Sequence, residues 1–132
     1  MHSAASWHTH ERYGEASEGK DELWNLKSIL EQIVTRAFAI DLELIRRPTR
    51  GRAKVAMARQ VAMYLAHVVC GLTLTEAGEL FGRDRTTAAH ACQVVERKRE
   101  EEPDFDRALQ LLENVIKVLV YAPPSQDYSD LE

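Results

Sequence analysis

The chain has 132 residues, of which 45% are hydrophobic and 29% charged, and its formal net charge is −4. These values are ordinary for one globular domain, and no apolar run is long enough for a membrane span or a signal peptide. The two cysteines lie singly within helical patterns, so we expect reduced, buried thiols in a cytoplasmic protein. The acidic total argues against a nucleic-acid partner unless the cations are concentrated on one surface.

The two ends of the chain differ in composition from the middle. Residues 1–20 are rich in Ser, Gly, His and charged side chains, and residues 121–132 contain two adjacent prolines and several acids. We expect both segments to be flexible tails that flank one folded domain at residues 21–120. The histidines of the first tail lack partners at the spacing of metal ligands, so we expect no metal site there.

Apolar residues recur with a helical period through the middle of the chain. The predicted elements are, in chain order, a helix at about 22–39, a short turn at 41–45, and helices at about 55–70, 75–81, 85–101 and 105–119. We expect Val68 and Leu119 to point inward from the helices that contain them. No segment alternates with the period of a strand, and the sequence therefore predicts an all-α fold of five to six helices.

A short helix, a tight turn and a long helix are predicted in succession. The run Thr73-Leu-Thr-Glu76 has the form of a capping box, which would begin the short helix. Gly82 ends that helix, and Asp84 is a good N-cap for the long helix, which Pro103 stops. This order of elements predicts a helix-turn-helix motif.

The first turn of the long helix is polar, and the residues that follow are small. Arg85, Thr86 and Thr87 are all able to hydrogen-bond outward, and Asp84 can cap the helix, accept from a cytosine amine, or do both. A helix with such a tip can lie in the major groove of DNA. The alternative is that these residues are only a polar helix start, and this segment alone does not separate the two interpretations.

Cations are concentrated upstream of this motif, in a stretch without a single acid. They are Arg46, Arg47, Arg50, Arg52, Lys54 and Arg59. Such a cluster fits phosphate binding, with one or two arginines entering the minor groove, and a solvated loop is the alternative. His90 follows the polar tip by one turn, and both a phosphate contact and packing beneath the helix remain open for it.

Three segments of the chain resemble, in order and spacing, the C-terminal DNA-binding domain of the bacterial replication initiator DnaA. They are Arg59-Gln-Val-Ala-Met-Tyr-Leu65, Thr73-Leu-Thr-Glu-Ala-Gly-Glu-Leu-Phe-Gly82 and Arg83-Asp-Arg-Thr-Thr-Ala-Ala-His-Ala91. The resemblance covers about residues 21–119. It implies a helix-turn-helix domain that reads a short asymmetric box in duplex DNA, while an arginine of the basic loop enters the adjacent minor groove.

The resemblance also implies roles for individual residues. Asp84, Thr86 and Thr87 match the base-reading residues of the family, and Arg85 stands where the family usually has a histidine. Because arginine prefers guanine, we expect the preferred box to differ from the usual one. Together with the basic cluster, the set predicted to contact the minor groove or the phosphates is Arg46, Arg47, Arg50, Arg52, Lys54, Arg59, Thr73, Arg83 and His90.

The residues lead us to expect a sequence-specific protein for double-stranded DNA that regulates transcription or replication. The sequence lacks a Gly-x-x-x-x-Gly-Lys-Ser/Thr loop, so we expect a stand-alone, nucleoid-associated domain without ATPase activity, nucleotide or other cofactor. No cluster of His, Cys and carboxylates has catalytic spacing, which argues against an enzyme. The alternatives are a protein-interaction module with the same fold, self-association through the first helix or the tails, and non-specific DNA binding.

Overall fold

Six α-helices and no strands make up the part of the chain that the computed structural model describes, residues 16–47 and 53–121. The helices are α1 (Ala16–Phe38), α2 (Leu42–Arg46), α3 (Ala53–Val68), α4 (Leu74–Leu80), α5 (Arg85–Glu101) and α6 (Pro103–Tyr121). The predicted all-α class is confirmed. None of these six helices is long and apolar enough to cross a membrane.

The first helix begins earlier than the sequence predicts. α1 starts at Ala16, inside the segment of residues 1–20 that was expected to be a flexible tail. The residues concerned lack an apolar period, but apart from one glycine they are tolerated in a helix, so periodicity alone did not extend the helix to them. At its other end α1 stops at Ala39, whose φ of 55° is left-handed and breaks the helical path.

The central helix of the core is α3. Its residues Val61 and Leu65 are fully buried; α1, α4 and α5 pack against this helix, and α6 completes the core by packing against α1 and α5. The buried side chains contributed by α1, α5 and α6 are Leu26, Leu30, Val34, Val95, Leu109 and Ile116. Since α3 also carries buried alanines, its neighbours approach closely and the core is tightly packed.

Two residues that the sequence assigns to the core lie on the surface instead. Val68 is 45% exposed and Leu119 is 57% exposed. In each case the next residue, Val69 or Val120, packs against the core in its place. A buried helical stripe can advance by three or by four residues, and the position of the neighbouring helices chooses between them.

The turn between α4 and α5 is closed by contacts of the backbone. The capping box at Thr73 begins α4 as predicted, and Gly82 has a φ of 72° in the turn. The amide of Arg83 then donates to the carbonyl of Gly78 at 2.8 Å. A Cβ on Gly78 would lie 2.6 Å from the carbonyl oxygen of Asp84 and 2.8 Å from that of Arg83. The absence of a side chain at this position therefore sets how closely the start of α5 approaches α4.

We expect Gly78→Ala to lower the free energy of unfolding by about 2 kcal/mol, because the new methyl group meets backbone that cannot rotate away. Urea denaturation followed by circular dichroism measures this change. The matched control is Glu79→Ala, an exposed neighbour in the same helix, which should change stability by less than about 0.5 kcal/mol. Equal stability of the two variants would contradict the close approach.

Candidate nucleic-acid interface

The N-terminus of α5 presents a capped, polar tip to the solvent. Oδ1 of Asp84 accepts a hydrogen bond from the amide of Thr87 at 2.8 Å, which is the N-cap that the sequence predicts. This hydrogen bond holds the pKa of Asp84 below its usual value, so the carboxylate stays charged at neutral pH. Arg85 and Thr86 are exposed beside it, and Thr87 is half-buried.

The alanines behind this tip lie on its inner side. Ala88 and Ala91 are fully buried and pack against Met63 of α3. The sequence suggested that small residues would let α5 enter a groove; in the structure these two instead let α5 approach α3 closely. The outer face of α5 is still polar, because its small side chains point into the protein and its hydrogen-bonding side chains point to the solvent.

A groove of about 570 Å³ lies between the first turns of α5 and the outer face of α3. Its lining residues are Ala56, Arg59, Gln60, Met63, Arg83, Thr86, Thr87 and His90. His90 is exposed here, so its imidazole is at the surface and not beneath the helix. Gln60 was not singled out from the sequence, because a lone amide on a helix carries no signal until the fold places it opposite Thr86 and His90.

Arg59 is buried, whereas the sequence predicts a surface contact with DNA. It is 6% exposed, and its guanidinium donates to the carbonyls of Leu44, Ile45 and Arg47 at 2.8–2.9 Å. Burial and the neighbouring charge of Arg83 lower the pKa of Arg59. Because these donors hold the end of α2 against α3, Arg59 has a structural role where a phosphate contact was expected.

Arg46 is also engaged within the protein. Its Nη2 and Nε donate to the two carboxylate oxygens of Glu31 at 2.8 and 3.2 Å. Glu31 is only 2% exposed, so this bidentate pair neutralises a buried charge on α1. The predicted phosphate role of Arg46 therefore competes with an internal partner, although about half of its own side chain remains exposed.

Two further cations of the cluster, Arg47 and Lys54, lie on the surface. Arg47 is exposed, and its carbonyl accepts from Nη2 of Arg83 at 3.1 Å as well as from Arg59. Lys54 is exposed in the first turn of α3. Arg50 and Arg52, which the sequence places at the minor groove, lie outside the described residues. The start of the basic loop is thus tied to the turn that precedes α5.

Thr73 is exposed at the start of α4, on the helix-turn-helix itself. Its amide donates to Oε1 of Glu76 at 2.8 Å, and its hydroxyl oxygen accepts from the amide of Glu76 at 3.0 Å. The amide of Thr73 is therefore used inside the capping box. The hydroxyl hydrogen is still able to donate to an outside acceptor, since a threonine hydroxyl both donates and accepts.

Metal-ligating clusters and the two cysteines are the remaining groups with their own chemistry. Within residues 16–47 and 53–121, no three side chains of His, Cys, Asp or Glu gather in a way that would hold a metal ion. Cys70 and Cys92 are buried as free thiols, and desolvation raises their pKa to about 12 and about 11. Such thiols stay protonated near neutral pH and are poor nucleophiles.

Comparison with known proteins identifies the same region of the chain. The family model described as "Bacterial dnaA protein helix-turn-helix" matches residues 28–95, which is just over half of the chain. The match runs from the second half of α1 through the first three turns of α5. The matched region therefore includes every residue that lines the groove between α3 and α5.

Individual relatives agree with this match. The chromosomal replication initiator protein DnaA of Bordetella pertussis is 40% identical over 78 residues, or 58% of this chain. The DnaA proteins of Laribacter hongkongensis and Caldanaerobacter subterraneus are each 34% identical over 67% of the chain. The chain spans only 16–20% of the length of these relatives.

The structural role of Arg59 predicts that its substitution lowers stability, whereas substitution of the exposed Lys54 does not. We expect Arg59→Met to lower the free energy of unfolding by about 3 kcal/mol, because carbonyls at the end of α2 lose buried donors. Lys54→Met removes a positive charge from an exposed site and should change stability by less than about 0.5 kcal/mol. Thermal and urea denaturation of both variants measure the difference, and a stable Arg59→Met protein would refute the role.

Proposed function

This chain belongs to the bacterial DnaA helix-turn-helix family, and we propose that it binds double-stranded DNA at a specific sequence. The observation that carries the proposal is the exposed, capped tip of α5 beside a groove that Arg83, Gln60 and His90 help to line. The helix-turn-helix places such a tip in the major groove, where its first turn meets base edges. The matched relatives are named replication initiators, so the proposed role is regulation of replication or transcription.

Sequence readout is assigned to the first turn of α5. Arg85 is exposed and long enough to pair with both acceptors of a guanine, and Thr86 can bond a base edge through its hydroxyl or contact a thymine methyl through its own methyl group. A carboxylate has acceptor sites for more than one donor, so Asp84 can cap α5 and accept from a cytosine amine. Thr87 is half-buried, so we assign it the more limited part in readout.

Affinity is assigned to the groups around the tip. Arg83, Gln60 and His90 line the groove beside it, Arg47 is hydrogen-bonded to Arg83, and Lys54 is exposed in the first turn of α3. We assign phosphate contacts to these five side chains. Arg50 and Arg52 remain the proposed minor-groove contacts, since they connect Arg47 to the start of α3. The acidic total of the chain does not oppose this arrangement, because the field at a binding surface depends on the local distribution of charge.

Selection from a random duplex library at two salt concentrations tests the proposed function directly. We expect a defined motif at both salt concentrations, because base contacts discriminate between sequences while phosphate contacts do not. Enrichment without a motif and with a steep salt dependence would show a non-specific DNA-binding protein. No enrichment at all would favour the protein-interaction module.

The selected duplex then separates readout from affinity. We expect Arg85→Ala and Thr86→Ala each to weaken binding to the selected duplex by about fivefold or more, and to scrambled duplex far less, because a base contact discriminates by about 1–3 kcal/mol. Fluorescence anisotropy with both duplexes measures the ratio. Gln93→Ala, exposed on the third turn of α5, is the control and should leave the ratio unchanged. If the ratio of affinities for selected and scrambled duplex stayed the same in both variants, α5 would not be the element that reads the sequence.

Phosphate contacts predict a different pattern. We expect Arg47→Ala and Lys54→Ala to weaken binding to all duplexes alike and to lower the slope of log K against log salt by about one each, since each releases about one counterion fewer. Lys98→Ala is the matched control, because Lys98 lies near the far end of α5 and bonds Glu102 at 2.9 Å. An unchanged slope in the two variants would move the phosphate surface elsewhere.

A further inference from the structure

The last helix carries a second apolar stripe that faces the solvent. Leu111 is 66% exposed, Val118 63% and Val115 43%, and Ala108 is exposed one turn before them. We call these four residues the α6 seam. Their spacing of three, four and three residues is the spacing of alternate core positions in a coiled coil.

The α6 seam is separate from the side of α6 that belongs to the core. That inner side is fixed by Leu109 and Ile116, which are 1% and 0% exposed. A groove of about 490 Å³ between α1 and α6 joins the α6 seam along its edge, and Ile33, Leu112 and Leu119 help to line it. Side chains that are this apolar and this continuous at a surface are typical of a protein contact.

We propose that the α6 seam pairs with the α6 seam of a second copy of this chain, with the two helices antiparallel. The four residues are symmetric about position 113, so one two-fold axis brings all of them into register. Ala108 then meets the partner's Val118, and Leu111 meets the partner's Val115. A self-complementary patch of this kind is what an isologous dimer requires.

The charges of α6 permit this approach although the chain is acidic overall. Asp106 and Glu113 accept hydrogen bonds from Arg99 of α5, the second at 2.6 Å, and Asp104 is paired with Arg107. Each acid on α6 therefore has a basic partner within one molecule, with Arg99 shared by two of them, and the α6 seam itself contains only apolar side chains. Two copies can meet there without bringing a charged side chain into the apolar contact.

The dimer leaves the candidate nucleic-acid interface open. α6 packs against α1 and α5, and its tie to α5 is at Arg99, near the end opposite the capped tip. Each copy would thus offer its own recognition helix. Four layers make a short interface, at the small end of stable protein contacts, so we expect dissociation in the micromolar range.

Sedimentation equilibrium of the full chain without DNA tests the dimer, from about 1 to 500 µM. We expect a reversible monomer–dimer equilibrium, and we expect Leu111→Glu to weaken it by about a hundredfold, because two charges would enter an apolar contact. Leu111 is exposed in the monomer, so circular dichroism should show that the variant remains folded. Gln93→Glu adds the same charge on exposed α5 and should leave the dimer unchanged.

Cross-linking tests the antiparallel register. In this arrangement the two copies of residue 114 lie about 3 Å apart along the helix axis, and those of residue 110 about 9 Å apart. Asn114→Cys should therefore cross-link with a short bismaleimide more efficiently than Gln110→Cys, and buried Cys70 and Cys92 provide the background.

A monomer at every concentration would overturn the proposal and leave the α6 seam to another protein or to the terminal segments of the chain. A dimer that is insensitive to Leu111→Glu, or stronger cross-linking at residue 110, would overturn the α6 pairing. None of these outcomes bears on DNA binding, which the duplex experiments test separately.

Discussion

The guanidinium of Arg59 lies where three parts of the molecule meet. It donates from α3 to carbonyls at the end of α2, and one of these, the carbonyl of Arg47, also accepts from Arg83 in the turn before α5. A buried cation is stable only when its donors are satisfied, so this junction constrains all three elements at once. Arg47, at the end of α2, and the turn before α5 are consequently held close together.

Near that junction some cations of the cluster are bonded within the protein and others are exposed. Arg46 and Arg59 neutralise or cap groups within the protein, whereas Arg47 and Lys54 lie on the surface. A run of cations in the sequence therefore contains both architectural and outward-facing members. On α5 the division has the same cause: the small side chains pack on Met63, and the polar side chains remain at the surface.

The same principle gives α6 two distinct faces. Its inner stripe completes the core, and its outer stripe, the α6 seam, has the regular spacing of a helix pair but is exposed in the described part of the chain. The candidate nucleic-acid interface and the α6 seam therefore lie at different places on one small scaffold. Their separation allows the proposed DNA binding and the proposed pairing to be tested by independent substitutions.

The sequence by itself determined the local features of this protein. The capping box at Thr73, the N-cap at Asp84 and the extent of α5 were predictable because they depend on residues within one turn of each other. Only the tertiary structure decided that Arg59 is buried, that Gly78 adjoins the backbone of Asp84, and that Val69 and not Val68 faces the core. The physical reason is that these features depend on which distant helix lies alongside, and a helical stripe leaves that choice open.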